Sequence, residues 1–196
     1  MGRTPFISER QILEATAKAI CKHGFDVRTS MIAKIGGFSE GSIFRYFKTK
    51  NELIDSLFEK TVISIEWLNP LLDNRKNTCT KELLREVTKR GVKHFRKTGP
   101  IVMMAASRGI FPKALSNKDD KNSPPFQAFL IIKNFLQQRE SLELIRKIDY
   151  EAFTQIYIAT LMHSVMVEIH ERRLGIKPIV DKNIVPRSIE LLLTLL

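Results

Sequence analysis

Residues 29–52 read T-S-M-I-A-K-I-G-G-F-S-E-G-S-I-F-R-Y-F-K-T-K-N-E. The pair Gly36–Gly37 interrupts a helical pattern, and Phe38 directly after it can fold back as an apolar plug of the turn. Ser39 stands where a serine can cap the helix that carries Ile43. The stretch therefore predicts a short helix, a glycine turn, a second short helix and the start of a third.

The second short helix combines an apolar face with a face of small and cationic residues. Ile43 and Phe47 point inward at helical spacing, while Ser42, Arg45 and Tyr46 can point outward. Exposed residues of these types on a short helix after a glycine turn are typical of a helix that enters a DNA groove. We therefore expect a helix-turn-helix motif at residues 29–48.

The composition is that of a globular protein with a strong positive charge. Hydrophobic residues make up 43% of the 196 residues and charged residues 27%, which excludes a disordered chain. Lys and Arg total 32 against 21 Asp and Glu, for a net charge of +11 and a pI of about 9.8. This surplus favours a polyanionic partner, either nucleic acid or an anionic membrane surface, although a basic protein without such a partner fits it too.

The cysteine content and the apolar runs indicate an intracellular protein. Only two cysteines occur, Cys21 and Cys79, without the spacing of a zinc site, as expected in a reducing compartment. The N-terminus has no apolar run of the signal-peptide kind, and the longest apolar runs fall short of the roughly 18 residues that span a bilayer. We therefore expect a cytoplasmic protein without a membrane partner, and we expect no cofactor and no metal site.

The segment before the glycine turn predicts another helix. Ser8 and Gln11 have the spacing of a capping box, and apolar residues follow at helical period over residues 8–22. Gly24 supplies the stop. This helix would complete a three-helix N-terminal module.

A second capping box predicts a long helix after the motif. Thr49 with Glu52 precedes apolar residues at helical period, and the pattern continues to residues 69–70, where proline disfavours helix. Residues 1–50 contain nine Lys or Arg and four Asp or Glu. We therefore assign this range to a DNA-binding domain and residues 51–196 to a helical regulatory and dimerisation domain.

The second half of the chain also predicts helices. The patterns cover residues 80–97, 101–107 and 126–140, with Gly99–Pro100 ending the first and residues 116–125 forming a polar loop. No strand-like alternation and no internal repeat occur. The expected fold class is all-α, with about nine helices.

Two terminal segments, residues 149–172 and 184–196, are apolar on more than one face. Such helices must be buried on more than one side, and one chain of this size lacks enough partners to cover both. We infer that they pack against the same pair in a second subunit as a four-helix seam. The residues predicted to form this dimer interface are Leu161, Val165, Ile169, Ile189, Leu192, Leu193 and Leu196.

Three short stretches together form a recognisable pattern: I-L-E-A-T at 12–16, G-F at 24–25, and I-A-K-I-G-G-F-S-E-G-S-I-F-R-Y-F-K-T-K-N-E-L at 32–53. They closely resemble the DNA-binding domain of TetR-family transcriptional regulators over roughly residues 8–58. The resemblance implies a three-helix helix-turn-helix domain followed by a helical domain that binds a ligand and forms a dimer. Beyond the N-terminal domain the chain resembles the family only in length, helical content and a predicted dimer seam.

The chain departs from the family pattern before and within the motif. It is one residue shorter ahead of the first short helix, whose start Asp26 or Thr29 could cap. Phe44 stands where the family commonly has a tyrosine that offers its hydroxyl to phosphate. Tyr46 occupies a position often held by histidine and can supply that hydrogen bond instead.

The recognition helix contains the predicted base contacts. Gly41 costs helix stability, and the resemblance implies that it permits a close approach of the backbone to DNA, although a glycine near the helix start is an alternative explanation. Ser42 and Arg45 are the predicted readers of base edges, Arg45 through the acceptors of guanine. A phosphate contact is the alternative for Arg45. Phe44 belongs to the same predicted surface.

Further residues are predicted to contact phosphates, which position the protein without reading sequence. Tyr46, Lys48 and Lys50 follow the recognition helix, and Lys50 lies at a helix N-terminus, whose dipole attracts phosphate. Arg28 and Ser30 can contact the backbone from the first short helix.

Regulation follows from the expected dimer and from the resemblance. Two modules would bind a pseudo-palindrome with half-sites about 34–36 Å apart or multiples of that distance. The resemblance implies that a ligand among the C-terminal helices shifts the helix beginning at Lys50, and the segment with Met103 and Met104 is a candidate mover. The candidate pocket residues are Trp67, Met103, Met104, Phe111, Phe129, Tyr157 and His163. Plain core is the alternative reading of these residues; a pocket here would suit an apolar or mildly acidic small molecule.

These features together predict a homodimeric transcriptional repressor that a small-molecule effector releases from double-stranded DNA. The alternative is a DNA-binding dimer without a small-molecule inducer, controlled by a protein partner. An enzyme is not expected, because no nucleophile–base pair, paired carboxylates or phosphate-binding loop occurs at a useful spacing. The core-type apolar stripes argue against a basic protein of the membrane surface.

Overall fold

The fold was analysed in a computed structural model, which describes residues 7–72, 78–110, 123–178, 181 and 183–196. These residues form nine α-helices and one π-helical turn, and none of them lies in a β-strand. The prediction of an all-α protein with about nine helices is confirmed. Close contacts divide the described residues into two compact units, one from Met1–Ser64 with Pro100–Lys118 and one from Ile65–Gly99 with Asp119–Leu196.

The first unit begins with the predicted helix and its capping box. Helix α1 spans Glu9–His23. The Ser8 hydroxyl oxygen accepts from the Gln11 amide at 3.3 Å, and the Gln11 side-chain oxygen accepts from the Ser8 amide at 2.9 Å. This reciprocal pair satisfies two amides that the first turn of a helix leaves without partners.

The motif forms two short helices, α2 at Thr29–Gly36 and α3 at Glu40–Tyr46. Helix α4 follows at Lys50–Leu57 and continues as a π-helical turn at Phe58–Val62. The prediction that this helix continues to residues 69–70 is therefore wrong. The β-branched run from Thr61 to Ile63 disfavours further helix, because each of these side chains restricts χ1 against the preceding turn.

The core of the first unit extends beyond the predicted domain boundary at residue 50. Leu53, Leu57 and Phe58 are fully buried against the N-terminal helices, and Ile101 and Ala105 join the same core from a distant part of the sequence. The unit is therefore larger than the N-terminal range assigned from charge and motif, because apolar packing rather than chain continuity defines it.

The second unit contains α5 at Asn69–Leu72, α7 at Pro124–Ser141, α8 at Tyr150–Leu174 and α9 at Ile184–Leu193. Helix α5 begins where proline was predicted to stop a helix. Proline is tolerated in the first turn of a helix, where its missing amide would have no partner in any case.

Helix α6 spans Thr80–Ser107 and contains Pro100, so the two helices predicted on either side of Gly99–Pro100 are one. Gly99 is buried, and a Cβ atom there would lie 2.7 Å from Cδ1 of Ile169. Close packing against α8, rather than a break in the helix, accounts for this glycine. The division between the two units falls at this point of α6.

A buried polar network joins α6 to α8 inside the second unit. The Tyr157 hydroxyl donates to the main-chain oxygen of Leu84 at 2.7 Å and lies 2.8 Å from the Thr88 hydroxyl. Tyr157 has no exposed surface and stacks on Phe153. Burial raises the pKa of the Tyr157 phenol above its ordinary value, because the charged form would lose its hydration.

One described helix segment, Tyr150–Arg172, is long and apolar enough to cross a membrane by length and composition alone, and core helices of soluble proteins meet the same condition. Only 28% of its most apolar window is buried within the chain. Much of its apolar surface is therefore left for another contact.

Candidate nucleic-acid interface

The turn between α2 and α3 depends on both glycines. Gly37 has φ of +71°, in the left-handed region, and the Phe38 amide donates to the Ala33 oxygen at 3.1 Å. A Cβ atom on Gly36 would lie 2.0 Å from the Phe38 ring. The phenylalanine thus occupies the space that a side chain at position 36 would need, as the sequence predicted for a plug of the turn.

Two apolar side chains, one in α3 and one directly after it, anchor this helix in the core. Ile43 and Phe47 are 1% and 3% exposed in the core of the first unit. On the other side Arg45 is exposed, Phe44 keeps 48% of its surface, and Ser42 is half-buried. The structure agrees with the predicted inward direction of Ile43 and Phe47 and with the exposure of Arg45, and the contacts with DNA remain a prediction.

Gly41 lies in open space on the exposed side of α3. A Cβ atom there would meet only the Ser39 hydroxyl, at 3.9 Å. Nothing in the described part of the fold therefore requires a glycine at this position, although glycine weakens a helix by about 0.5–1 kcal/mol relative to alanine. A requirement for close approach by an external partner would account for it.

The serine and threonine hydroxyls of the motif are used differently from the predicted caps. The Ser39 hydroxyl lies 3.0 Å from the Ser42 hydroxyl and does not cap α3 with its side chain. The Thr29 hydroxyl donates to the Glu40 carboxylate, which ties the start of α2 to the start of α3. Asp26 forms an ion pair with Arg108. Neither Asp26 nor Thr29 therefore caps α2. The residue in the N-cap position is Arg28, and its side chain makes no capping hydrogen bond.

Tyr46 is engaged within the first unit. Its hydroxyl donates to the main-chain oxygen of Ile7 at 2.9 Å, and the residue is half-buried. The hydroxyl that was predicted to donate to a DNA phosphate therefore already donates within the protein. Sequence patterns did not reveal this contact because its two residues are 39 positions apart.

The start of α4 is well defined beside the exposed end of α3. The Thr49 hydroxyl accepts from the Glu52 amide at 3.1 Å, and the Glu52 carboxylate accepts from the Lys48 amide at 2.7 Å. The predicted capping box is thus present, except that the Glu52 carboxylate accepts from the Lys48 amide instead of the Thr49 amide. The Lys48 side chain is exposed and Lys50 half-buried, so both cations flank this helix start.

Arg28 and Ser30 are exposed at the start of α2, as their predicted role requires. The same helix exposes Lys34, one turn after Ser30, which the sequence analysis did not select. Lys34 could have been found from that spacing, since residues four apart share a helix face. An open groove of about 310 Å³ lies here; its lining residues are Ile7, Ala33, Lys34, Gly37, Phe38, Ser39 and Ser42.

The predicted dimer residues occupy two different environments. Leu161, Val165, Ile189 and Leu193 are buried in the core of the second unit, so they have little surface for a partner. The others, Ile169, Leu192 and Leu196, are half-buried. The helices that carry these residues remain the predicted interface, but four of the residues lie on the inward face, since an apolar pattern does not tell which side a neighbouring helix covers.

The apolar surface that the described chain leaves uncovered lies on other residues of the same helices. Ile156 and Met162 of α8 keep 49% and 45% of their surface, Leu191 of α9 keeps 71%, and Leu195, just beyond α9, keeps 45%. Helices α8 and α9 pack together in the second unit. We call these four residues the exposed apolar face.

The predicted ligand residues are not brought into one group. Met103 and Met104 belong to the first unit, whereas Trp67, Phe129, Tyr157 and His163 belong to the second, and Phe111 lies outside the described residues. Tyr157 is fully buried and His163 is exposed. The Trp67 indole nitrogen is buried, and no hydrogen-bond acceptor contacts it among the residues that the structure describes.

Comparisons with known proteins agree with this geometry. Residues 12–57 match the family "Bacterial regulatory proteins, tetR family". The solved structures that share the fold include the transcriptional regulator FadR from Bacillus subtilis in complex with stearoyl-CoA, with a TM-score of 0.66 and 19% identity over 96% of this chain and 100% of that chain. A putative TetR-family regulator from Mesorhizobium loti has a TM-score of 0.66 and 16% identity over 95% of both chains. The TetR-family regulator PfmR from Thermus thermophilus has a TM-score of 0.60 and 16% identity over 93% of this chain and 97% of that chain.

The resemblance to TetR-family regulators is therefore confirmed, through the matched motif in the N-terminal residues and through the fold elsewhere. Residues 12–57 match the TetR family, and the chain shares its fold with the solved structures of transcriptional regulators described above.

Proposed function

We propose that this TetR-type regulator acts in the cytoplasm as a homodimeric repressor, which binds a pseudo-palindromic operator and leaves it when a small-molecule effector binds. The observation that supports it most directly is the exposed side of α3. Ile43 and Phe47 hold the helix in the core, while Arg45 and Gly41 face outward without a partner role in the described fold. Such a helix fits the major groove.

The exposed residues divide into two kinds of contact. Arg45 and Ser42 are the proposed base readers, and Gly41 lets the helix backbone come close. The exposed Lys48 and the half-buried Lys50 are the proposed phosphate contacts at the start of α4. Phosphate contacts set the register of the helix on the duplex, so that few base contacts suffice for recognition.

The second phosphate group lies on α2. Arg28, Ser30 and Lys34 are exposed there, and the groove beside Lys34 has a mixed polar and apolar lining. Tyr46 has a different proposed role, in which its hydrogen bond to Ile7 holds the end of α3 rather than a phosphate.

The exposed apolar face supports a dimer. The exposed apolar face consists of large apolar side chains on two packed helices, with Leu195 just beyond α9. A second copy of α8 and α9 would cover it as a symmetric four-helix seam. The proposed interface therefore uses Ile156, Met162, Leu191 and Leu195 in place of the buried leucines chosen from sequence.

The proposed effector is apolar or mildly acidic and binds among the helices of the second unit. The buried indole nitrogen of Trp67 supports this, because a buried donor without an acceptor is costly and a ligand oxygen would satisfy it. The related fold of FadR was solved with stearoyl-CoA, which makes a long acyl chain with an acidic group a suitable first ligand to try.

Selection of bound sequences from a random duplex pool tests the proposal with the full chain. We expect an enriched pseudo-palindrome for the wild type and its loss for Arg45→Ala. The matched control is Arg10→Ala, which removes an exposed arginine of α1 that forms an ion pair with Glu14. Failure of the wild type to enrich any sequence would overturn the proposed function, and equal enrichment by the wild type and Arg45→Ala would remove Arg45 from the reading surface.

A further inference from the structure

Helix α6 of the second unit has a strongly cationic outer surface. Residues 80–98 contain seven Lys or Arg and two Glu. The exposed residues of this segment are all charged, and they are Glu82, Arg85, Lys89, Arg90, Lys93, Arg96 and Lys97. None of the largely exposed side chains here is apolar.

The arginines of this surface are held by carboxylates. Arg85 binds Glu190 with two parallel hydrogen bonds of 2.7 and 2.8 Å. The Nε atom of Arg96 lies 2.8 Å from a carboxylate oxygen of Glu168. Arg90 has an ion pair with the glutamate four residues before it in the same helix. These contacts compensate the charge of the arginines within the unit itself.

The lysines are different. Lys89, Lys93 and Lys97 have no ion pair or hydrogen-bonded partner within the described ranges. They are four residues apart, so their side chains share one face of α6, and they span about 12 Å at a rise of 1.5 Å per residue. Like charges at this spacing destabilise a helix. The stability of the unit therefore does not explain this set, which we call the lysine row.

We propose that the lysine row is a second nucleic-acid contact, which binds the phosphate backbone of duplex DNA without reading its sequence. Duplex DNA carries one charge per about 1.7 Å of helix axis, so the row is long enough to face about seven phosphates. Lysine ammonium groups bind phosphates as point charges and do not need a fixed geometry. The length and the charge of the row both match this partner.

An acidic protein is a weaker match for the same surface. Protein interfaces depend on a few buried aromatic or aliphatic anchors surrounded by polar residues. The exposed side chains between residues 80 and 98 offer no such anchor. A polyanion, by contrast, binds through charge alone and releases counterions when it does so.

The contact would act on DNA that contains no operator. Sequence-independent phosphate contacts supply essentially all of non-specific binding, and they let a protein remain on the duplex while it moves along it. Binding through the lysine row is therefore additional to the proposed sequence recognition by α3, and it does not depend on which operator α3 recognises.

The salt dependence of binding to a random-sequence duplex tests the proposal. The full-length triple variant K89Q/K93Q/K97Q removes the three charges but keeps good helix formers in place. Each lost phosphate contact makes the slope of log Kobs against log salt shallower by about 0.9, so we expect a change of about 2.7. The charge-preserving variant K89R/K93R/K97R should keep the wild-type slope.

A matched control separates local contact from net charge. The variant R146Q/K147Q removes two exposed charges just before α8, at the end of the unit where Tyr157 contacts Leu84, and its slope should change little, because charges farther apart than about 10 Å are screened at 0.1 M salt. An equal change in this control and in the lysine-row variant would overturn the proposal, as would an unchanged slope in a lysine-row variant that unfolds at the wild-type temperature. In an Arg45→Ala background the effect of the row should persist. This result distinguishes the lysine row from α3, because a failure of the proposed recognition by α3 would be seen only as a loss of sequence preference.

Discussion

The hydroxyl of Tyr46 donates a hydrogen bond to the main-chain oxygen of Ile7 over 2.9 Å, and this bond joins the last residue of α3 to the chain just before α1. The recognition helix is thereby held at its middle and at its C-terminal end. Buried Ile43 anchors the middle of the helix, and Tyr46 ties its C-terminal end to a segment that is distant in sequence. The tyrosine thus acts within the protein at a position where a DNA contact was expected.

Tyr46→Phe should lower the free energy of unfolding by about 1 kcal/mol, because a hydrogen bond to the main chain is lost while the ring remains. Affinity for the selected operator should fall because α3 is held less well. Denaturant unfolding and a binding titration measure the two effects. Wild-type stability combined with weaker DNA binding would instead assign the hydroxyl to a phosphate.

Gly41→Ala should change stability and binding in opposite directions. Alanine is the better helix former by about 0.5–1 kcal/mol, and the new methyl group meets only the Ser39 hydroxyl. Thermal unfolding should therefore move to higher temperature while operator affinity falls. Unchanged affinity would show that no partner approaches the helix backbone closely here.

Gly37→Ala should destabilise the first unit, because a left-handed residue with a Cβ atom costs about 1–2 kcal/mol. The substitution meets no neighbour, since nothing lies within 4 Å of the added atom. Its effect thus reports backbone strain alone. Gly36→Ala is the comparison at a position without positive φ, where the Phe38 ring must move away from the added atom, and a larger loss in denaturant unfolding is expected there.

Leu191→Glu should convert a dimer into monomers with little loss of monomer stability, because this side chain is 71% exposed within the chain. Sedimentation equilibrium measures the change. Leu193→Ala, two residues away, is the contrasting variant. Leu193 is 1% exposed, so a loss of about 2–5 kcal/mol in unfolding free energy is expected from the cavity. Dimers of Leu191→Glu at wild-type strength would remove α9 from the interface.

The stability of the protein should fall above about pH 10 in part because of Tyr157. The folded state raises the pKa of this phenol, so its contribution is fully present below the ordinary tyrosine value of about 10 and is lost as the unfolded chain ionises above it. Tyr157→Phe should flatten the decline of unfolding free energy with pH in this range. An identical decline in both proteins would contradict the assigned pKa shift.

The local features of the first unit were predictable from the sequence. The capping box at Ser8, the turn at Gly36–Gly37 and the inward direction of Ile43 all rest on residues within four positions of one another. Such features follow from backbone geometry and helix period, which a sequence expresses directly. The resemblance to a known family added the expectation of DNA binding.

Two other expectations depended on neighbours that no local pattern shows. Gly99–Pro100 lies inside α6 because α8 packs too closely for a side chain at Gly99. Tyr46 bonds to Ile7. In each case the decisive atom comes from a residue at least 39 positions away, and helix period carries no information about it.

The sequence by itself determined that the chain is helical, where the helix-turn-helix motif lies and that Ile43 and Phe47 face inward. Only the tertiary structure decided which side of α8 and α9 remains uncovered, and it moved the proposed dimer contact from Leu193 to Leu191. Both leucines satisfy the same apolar pattern. What separates them is the free energy of burial against a neighbouring helix, and that depends on packing partners, which only the folded chain brings together.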